Sequence, residues 1–190
     1  MAKTSEQDVI ETTSALLEAQ GYHATGLNQI IKESGAPKGS LYYYFPEGKQ
    51  ELVAAAIARA GEQLSDRIQQ GLASREHPAE AVRHLTDTIA STIEASGYQA
   101  GGPLTMVAME TASSSERINQ ACQQAFSQMQ QPFQRKLEED GMPPDQAAKL
   151  AEFITSVIEG ATILSRTFHS GDPLRHAGEH LFELITRSAR

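Results

Sequence analysis

The chain has one cysteine, Cys122, so it can form no internal disulfide and no cysteine-built zinc cluster, which fits a reducing compartment. In "INQACQQAF" that thiol sits among polar helix formers with the nearest cation, Arg117, five positions back, and it reads as a plain helix residue. No apolar run approaches the roughly 20 residues a bilayer-spanning helix needs. The N-terminus "MAKTSEQDVI" also lacks the basic and apolar succession of a leader, so a cytoplasmic location is expected. A broad excess of positive charge is missing too. The formal net charge of −8 excludes a basic nucleic-acid coat; any DNA binding must come from a local positive patch and should depend strongly on salt. Internal repeats, low-complexity segments and strand-like alternation are absent or nearly so. So are a nucleophile elbow, a phosphate loop and a paired-carboxylate site, which leaves an enzyme reading without support.

What remains is helix after helix. In "SEQDVIETTSALLEAQG", Val9, Ile10, Thr13, Leu16 and Leu17 fall on one face, Ser5 is placed to cap, and Gly21 to stop the helix. Thr25 is placed to cap "GLNQIIKES", whose inward stripe is Leu27, Ile30 and Ile31, and Gly35 supplies a left-handed stop. Pro37 then opens a short helix, and a long one follows Gly48. Further helical patterns run from Pro78 to about Ser96, through "LTMVAME", to about Asp140, over 145–169 and over 174–189, with a loop at 98–103. The pattern predicts an all-α protein with a small head, 1–48, on a larger helical body, 49–190.

The short helix carries "KGSLYYYF". Helical spacing puts Leu41, Tyr44 and Phe45 on a buried face and turns Lys38, Gly39, Tyr42 and Tyr43 outward. Such a face suits the major groove: Gly39 allows close approach, Lys38 and Ser40 donate, and tyrosine hydroxyls reach phosphate oxygens. A half-buried packing surface or a peptide groove would use the same residues.

Residues 25–57, "TGLNQIIKESGAPKGSLYYYFPEGKQELVAAAI", resemble the DNA-binding segment of the TetR family of bacterial regulators. With "GGPLTMVAME" and "EGATILSRTF" the chain looks most like the LmrA/YxaF-type branch. The resemblance implies a homodimer whose helices 1 to 3 bind double-stranded operator DNA, whose body holds a small-molecule effector, and whose last two helices pair with the partner's. It assigns recognition contacts to Lys38, Gly39, Ser40, Tyr42 and Tyr43. Thr25, Asn28 and Lys49 flank them, and Tyr44 is either buried support or a phosphate contact. Gly26, Leu27 and Asn28 stand where many relatives carry Thr-Thr or Thr-Ser followed by Val and Arg. Pro37 replaces the usual serine, and "FPEGK" is a residue longer than the common loop, which puts the contacts of Asn28 and Lys49 in doubt.

In the body, Phe153, Ile154, Val157, Ile158 and Ala161, with Leu174, Ala177, Leu181 and Leu184, form stripes that need cover. A partner subunit or an internal core would supply it. Ile89, Ile93, Leu104, Met106, Met109, Phe126, Met129 and Phe133 read as plain core or as the lining of a pocket for a mostly apolar or aromatic effector. Glu110 and Gln123 are the polar anchors such a pocket would use. His176 and His180, four apart, lack a third ligand and read as a solvated or dimer-face pair, so no metal or cofactor is expected.

Overall fold

The computed structural model describes residues 5–102 and 104–188, and each regular element among them is an α-helix. In chain order these are α1 (Glu6–Ala24), α2 (Leu27–Ser34), α3 (Lys38–Tyr44), α4 (Lys49–Ala73), α5 (Pro78–Ala95), α6 (Leu104–Thr111), α7 (Glu116–Glu139), α8 (Pro144–Phe168) and α9 (Asp172–Ser188). The all-α expectation holds. Pro103 of the expected loop and Ala189 at the expected end of the last helix lie outside the described residues.

The chain does not separate after residue 48. One compact unit extends to Glu62 and takes in Gly102–Phe126; the other holds Gln63–Gly101 and the residues from Ser127 onward. The boundary therefore falls inside α4 and α7, and α6 belongs with the head rather than with the remainder of the body.

The first unit is organised on α1. Its N-terminus is closed by a capping box: the Asp8 N–H donates to the Ser5 hydroxyl at 3.2 Å, and the Ser5 N–H donates to the Asp8 carboxylate at 2.7 Å. The Ser5 N–H, joined by the Ser5 hydroxyl donating to the same carboxylate oxygen at 2.8 Å, holds the Asp8 carboxyl below the usual range. Val9, Leu16, Ile30, Ala36, Leu41, Phe45 and Leu52 form one buried cluster, against which Ile10, Leu27, Ile31, Tyr44 and Ala55 pack. Helix α6 lies on α1, and the Gly102 N–H donates to the Glu18 carboxylate at 2.9 Å.

The second unit packs α5 against α8 and α9, with α9 on α8. Gly178 permits the close crossing of α5 and α9, because a Cβ there would run into the Thr86 hydroxyl. A bidentate pair from Arg175 to Glu94, at 2.9 and 2.7 Å, ties the same helices together. It also keeps the Glu94 carboxyl below its ordinary range, with the Gly171 N–H as a further donor.

Candidate nucleic-acid interface

Three sequence features place α3. Gly35 adopts φ +67°, the left-handed conformation that ends α2, so the chain reverses within three residues. Pro37, at φ −58° and ψ 140°, is the N-cap rather than the first helical residue, and α3 begins at Lys38. Leu41 and Phe45 then anchor the inner face, both essentially inaccessible, while Tyr44 packs half-buried beside them.

The outer face follows by elimination. Lys38 and Gly39 are exposed, Ser40 is half-buried, and Tyr42 and Tyr43 remain 44% and 80% accessible. The Tyr43 ring meets the Tyr44 ring edge-on, centroids 5.4 Å apart, so the outermost tyrosine leans on the one that packs inward. No heavy atom lies within 4 Å of where a Cβ would stand on Gly39, so a surface can approach the backbone there. Asn28, on the first turn of α2, is exposed as well. Neither α2 nor α3 has a side-chain cap at its start. Together these give a convex helix face with hydroxyls, one amide and one ammonium, the donor set that phosphates and base edges accept.

Residues 9–56 match the family model described as bacterial regulatory proteins of the tetR family. Residues 78–180 match that of the transcriptional regulator LmrA/YxaF-like C-terminal domain. The chain belongs to the TetR family of bacterial transcriptional regulators, in its LmrA/YxaF-like branch. It is 39% identical over 183 residues to the HTH-type transcriptional regulator YxaF of Bacillus subtilis, covering 96% of each chain. It is 33% identical to LmrA of the same organism, over 96% of this chain and 97% of the other. Among solved structures, a TetR transcriptional regulator from Chloroflexus aurantiacus superposes with a TM-score of 0.78 at 26% identity, covering 96% and 94% of the two chains. The reduced form of E. coli NemR superposes at 0.80 with 21% identity, over 93% and 95%, and shares the fold.

Within this TetR-family head two flanking residues differ from expectation. Thr25 does not cap α2; the N-cap is Gly26. Its hydroxyl is buried and donates to the Gly21 carbonyl at 2.7 Å. The cause is Gly21 itself, whose φ of +76° and ψ of −178° interrupt α1 and leave that carbonyl in need of a donor. Lys49 is also engaged: its ammonium donates to the Tyr22 carbonyl at 2.7 Å and sits 4.0 Å from the centre of the Tyr22 ring. Burial pulls this ammonium below the usual lysine range, opposed by the charge of Glu110.

Glu110 was expected to be a pocket anchor, but it too belongs to the head. Its carboxylate accepts the N–H groups of Tyr22 and His23, the second at 3.3 Å, and lies against Gly21, where a Cβ would stand 2.7 Å from one of its oxygens. Met106 closes the same contact from the next turn of α6. Tyr22 is therefore held by α6 through its N–H and by α4 through its carbonyl. The sequence reading missed Tyr22; the glycine beside it, which breaks the helix and strands the neighbouring amides, was the available signal.

The other body residues divide by element. Met109 is 77% exposed, and Gln123 is exposed. Leu104 is buried and Phe126 half-buried in the first unit. In the second, Ile93, Met129 and Phe133 are buried and Ile89 is half-buried. Of the dimer-face residues, Ile154, Ile158, Ala161, Leu174 and Leu181 turn into the unit's own core, because their spacing follows the side of α8 and α9 that meets α5. Phe153 and Leu184 are exposed, and Val157 and Ala177 are half-buried. Phe153 and Leu184 border an open groove of about 380 Å³ with Met142, Gln146, Lys149, Leu150 and Ser188. Among the described residues there is no cluster suited to a metal ion, and no helix is long and apolar enough to cross a membrane. Burial in the first unit pushes the Cys122 thiol up to about 11, which makes it a poor nucleophile at neutral pH.

Proposed function

We propose that this regulator is a cytoplasmic homodimeric repressor that holds a pseudo-palindromic double-stranded operator and leaves it when a small, mostly apolar or aromatic effector binds. The observation that carries the reading is the outer face of α3. Two tyrosines, a lysine and a glycine face solvent there, on a helix whose other side is locked by Leu41 and Phe45. Lys38, Gly39, Ser40, Tyr42 and Tyr43 make the recognition contacts and Asn28 flanks them, whereas Thr25, Tyr44 and Lys49 hold the helices in place.

Dimerisation is supported by a second face. On α8 the residues Phe153, Val157, Gly160, Leu164 and Phe168 recur at helical spacing on the side away from α5, and all but the half-buried Val157 are exposed. Leu184 of α9 adds to them. A two-fold dimer reads an operator whose half-sites lie about one duplex turn apart, roughly 34–36 Å, or a multiple of it.

Release follows from a population shift: an effector that binds one spacing of the two heads better than another moves the protein off DNA by that difference in affinity. The apolar side chains of α5 and of the second half of α7, Ile89, Ile93, Met129 and Phe133, are of the kind that would line a site for such a ligand if the core opened there. The bonds from Glu110 to Tyr22 and His23 make α6 and the end of α1 move as one piece, so a shift of α6 reaches the reading head directly. The test is fluorescence anisotropy of a duplex recovered by selection from a random pool. Lys38→Ala and Tyr42→Ala are each expected to weaken binding while the dimer stays folded; wild-type affinity in both would remove α3 as the recognition helix.

A further inference from the structure

The charge on the head runs against what a DNA-binding surface is expected to carry. Between residues 5 and 48 there are six carboxylates, Glu6, Asp8, Glu11, Glu18, Glu33 and Glu47, and two cationic side chains, Lys32 and Lys38. Both lysines are exposed, and neither enters an ion pair among the described residues. The other cations among the described residues of the first unit are engaged. Lys49 is bound to the Tyr22 carbonyl and ring, Arg117 pairs with Glu47 at 2.6 Å, and Arg59 with Glu62 at 3.1 Å. Among the described residues of the head, no cluster of unpaired cations forms the local positive patch that the sequence led one to expect. The outward groups in number are neutral donors: Asn28, Ser40, Tyr42 and Tyr43.

We infer that the head grips its operator through neutral hydroxyl and amide donors, with the release of few counterions, and so discriminates strongly against non-specific DNA. This inference rests on the assignment of α3 as the recognition helix. Non-specific binding is almost wholly an ionic term that grows with the number of phosphates neutralised. A surface with two free lysines per subunit has little of that term, while hydrogen bonds from tyrosine, serine and asparagine need the right groove geometry and are made only at the right site.

Four free lysines in a dimer set an upper limit near −4 on the slope of log affinity against log salt. Affinity should then fall roughly a hundredfold between 50 and 200 mM salt, where six to ten phosphate contacts would cost about 10³ to 10⁵. The experiment titrates the Lys3→Ala protein, since Lys3 lies outside the described residues, against the selected duplex and a scrambled one at about pH 8, where histidine carries little charge.

A slope of −4 or shallower is expected, flattened further by Lys38→Ala. Tyr42→Phe should lose about threefold to tenfold in affinity with the slope unchanged. A steeper slope on a duplex that is clearly preferred overturns the inference and leaves the recognition helix standing. A Tyr42→Phe protein that binds like its parent also overturns it. Failure to prefer any duplex over the scrambled one at any salt removes the recognition helix itself.

Discussion

Two helices of this protein turn rings to the solvent, and the rings end differently. On α3 they are Tyr42 and Tyr43, set among Lys38, Gly39 and Ser40; on α8 they are Phe153 and Phe168, set among Val157, Gly160 and Leu164. A tyrosine keeps its hydroxyl hydrogen-bonded in water and can exchange that water for a phosphate oxygen, so its face suits a wet, polar partner. A phenylalanine or leucine has nothing to offer water, and burying it contributes about 25 cal/mol per Å² of apolar surface. Its face suits a dry partner such as a second copy of the same helix. If both are contact surfaces, as proposed, the chemistry at the tip of each side chain separates DNA from protein.

The comparison breaks first if α3 is only a packing surface. Phe45→Ala removes a buried ring and is expected to destabilise the protein by about 3–5 kcal/mol. Tyr43→Ala should alter stability by less than about 0.5 kcal/mol, yet strongly weaken operator binding. Urea unfolding and duplex anisotropy on both variants decide it. Equal destabilisation would make Tyr43 a core residue and end the distinction between the two faces.

The α8 face is tested by putting charge on it. Leu164→Glu with Phe168→Glu places two carboxylates in a surface proposed to pair with its copy, and the dimer dissociation constant should rise at least a hundredfold, about 3 kcal/mol. Sedimentation should then show monomer with unchanged helical circular dichroism. A double variant that stays dimeric puts the pairing face elsewhere.

Much of this was legible in the sequence because the strongest signals are local. Ser5, Gly35 and the Leu41–Phe45 spacing each act within one or two turns, and each produced the expected cap, stop or buried face. The misreadings involve distance. Glu110 was assigned to a pocket because α6 looked like part of the body, yet it reaches 88 residues back to Tyr22. Thr25 was placed to cap α2 and, with Lys49, to flank the recognition contacts, but the break at Gly21 leaves backbone groups that both side chains satisfy. Stripes on α8 and α9 predicted a need for cover without saying where it comes from: Ile154 and Leu174 are buried within the chain, while Phe153 and Leu184 are exposed. Periodicity finds a face; it does not name the neighbour.

The clamp on Tyr22 offers a sharper test of how rigidly the polar face is presented. Glu110→Gln keeps the shape but removes the charge that accepts two backbone N–H groups, and should cost about 1–3 kcal/mol. Operator affinity should fall with it, although residue 110 lies on α6 and not on α3. Unchanged stability and affinity would show that the recognition helix needs no support from α6.

Gly160 separates the two faces by a smaller margin. It stands in the middle of α8 with nothing within 4 Å of the place a Cβ would take. If that face looked only at water, Gly160→Ala would stabilise the helix by about 0.5–1 kcal/mol. Against a closely packed copy the methyl group intrudes, so the expected result is a weaker dimer by sedimentation despite the better helix former.

The finest test exchanges single oxygen atoms between the two faces. Tyr43→Phe leaves the ring and deletes the hydroxyl; Phe168→Tyr adds one to the stripe. On the polar face the loss should weaken operator binding by about 0.5–1.5 kcal/mol, the net value of one hydrogen bond, with the dimer untouched. On the apolar face the added hydroxyl finds no assigned partner and, if desolvated on pairing, weakens the dimer by about 1–3 kcal/mol; at the rim of the contact, with the tip still wet, the change falls toward zero. Phe168 is 66% exposed near the end of α8, and the rim outcome is therefore expected, which makes this the smallest of the effects. If Tyr43→Phe binds the operator as well as the parent does, the ring and not the hydroxyl is what α3 presents, and the contrast between wet and dry faces loses its chemical basis.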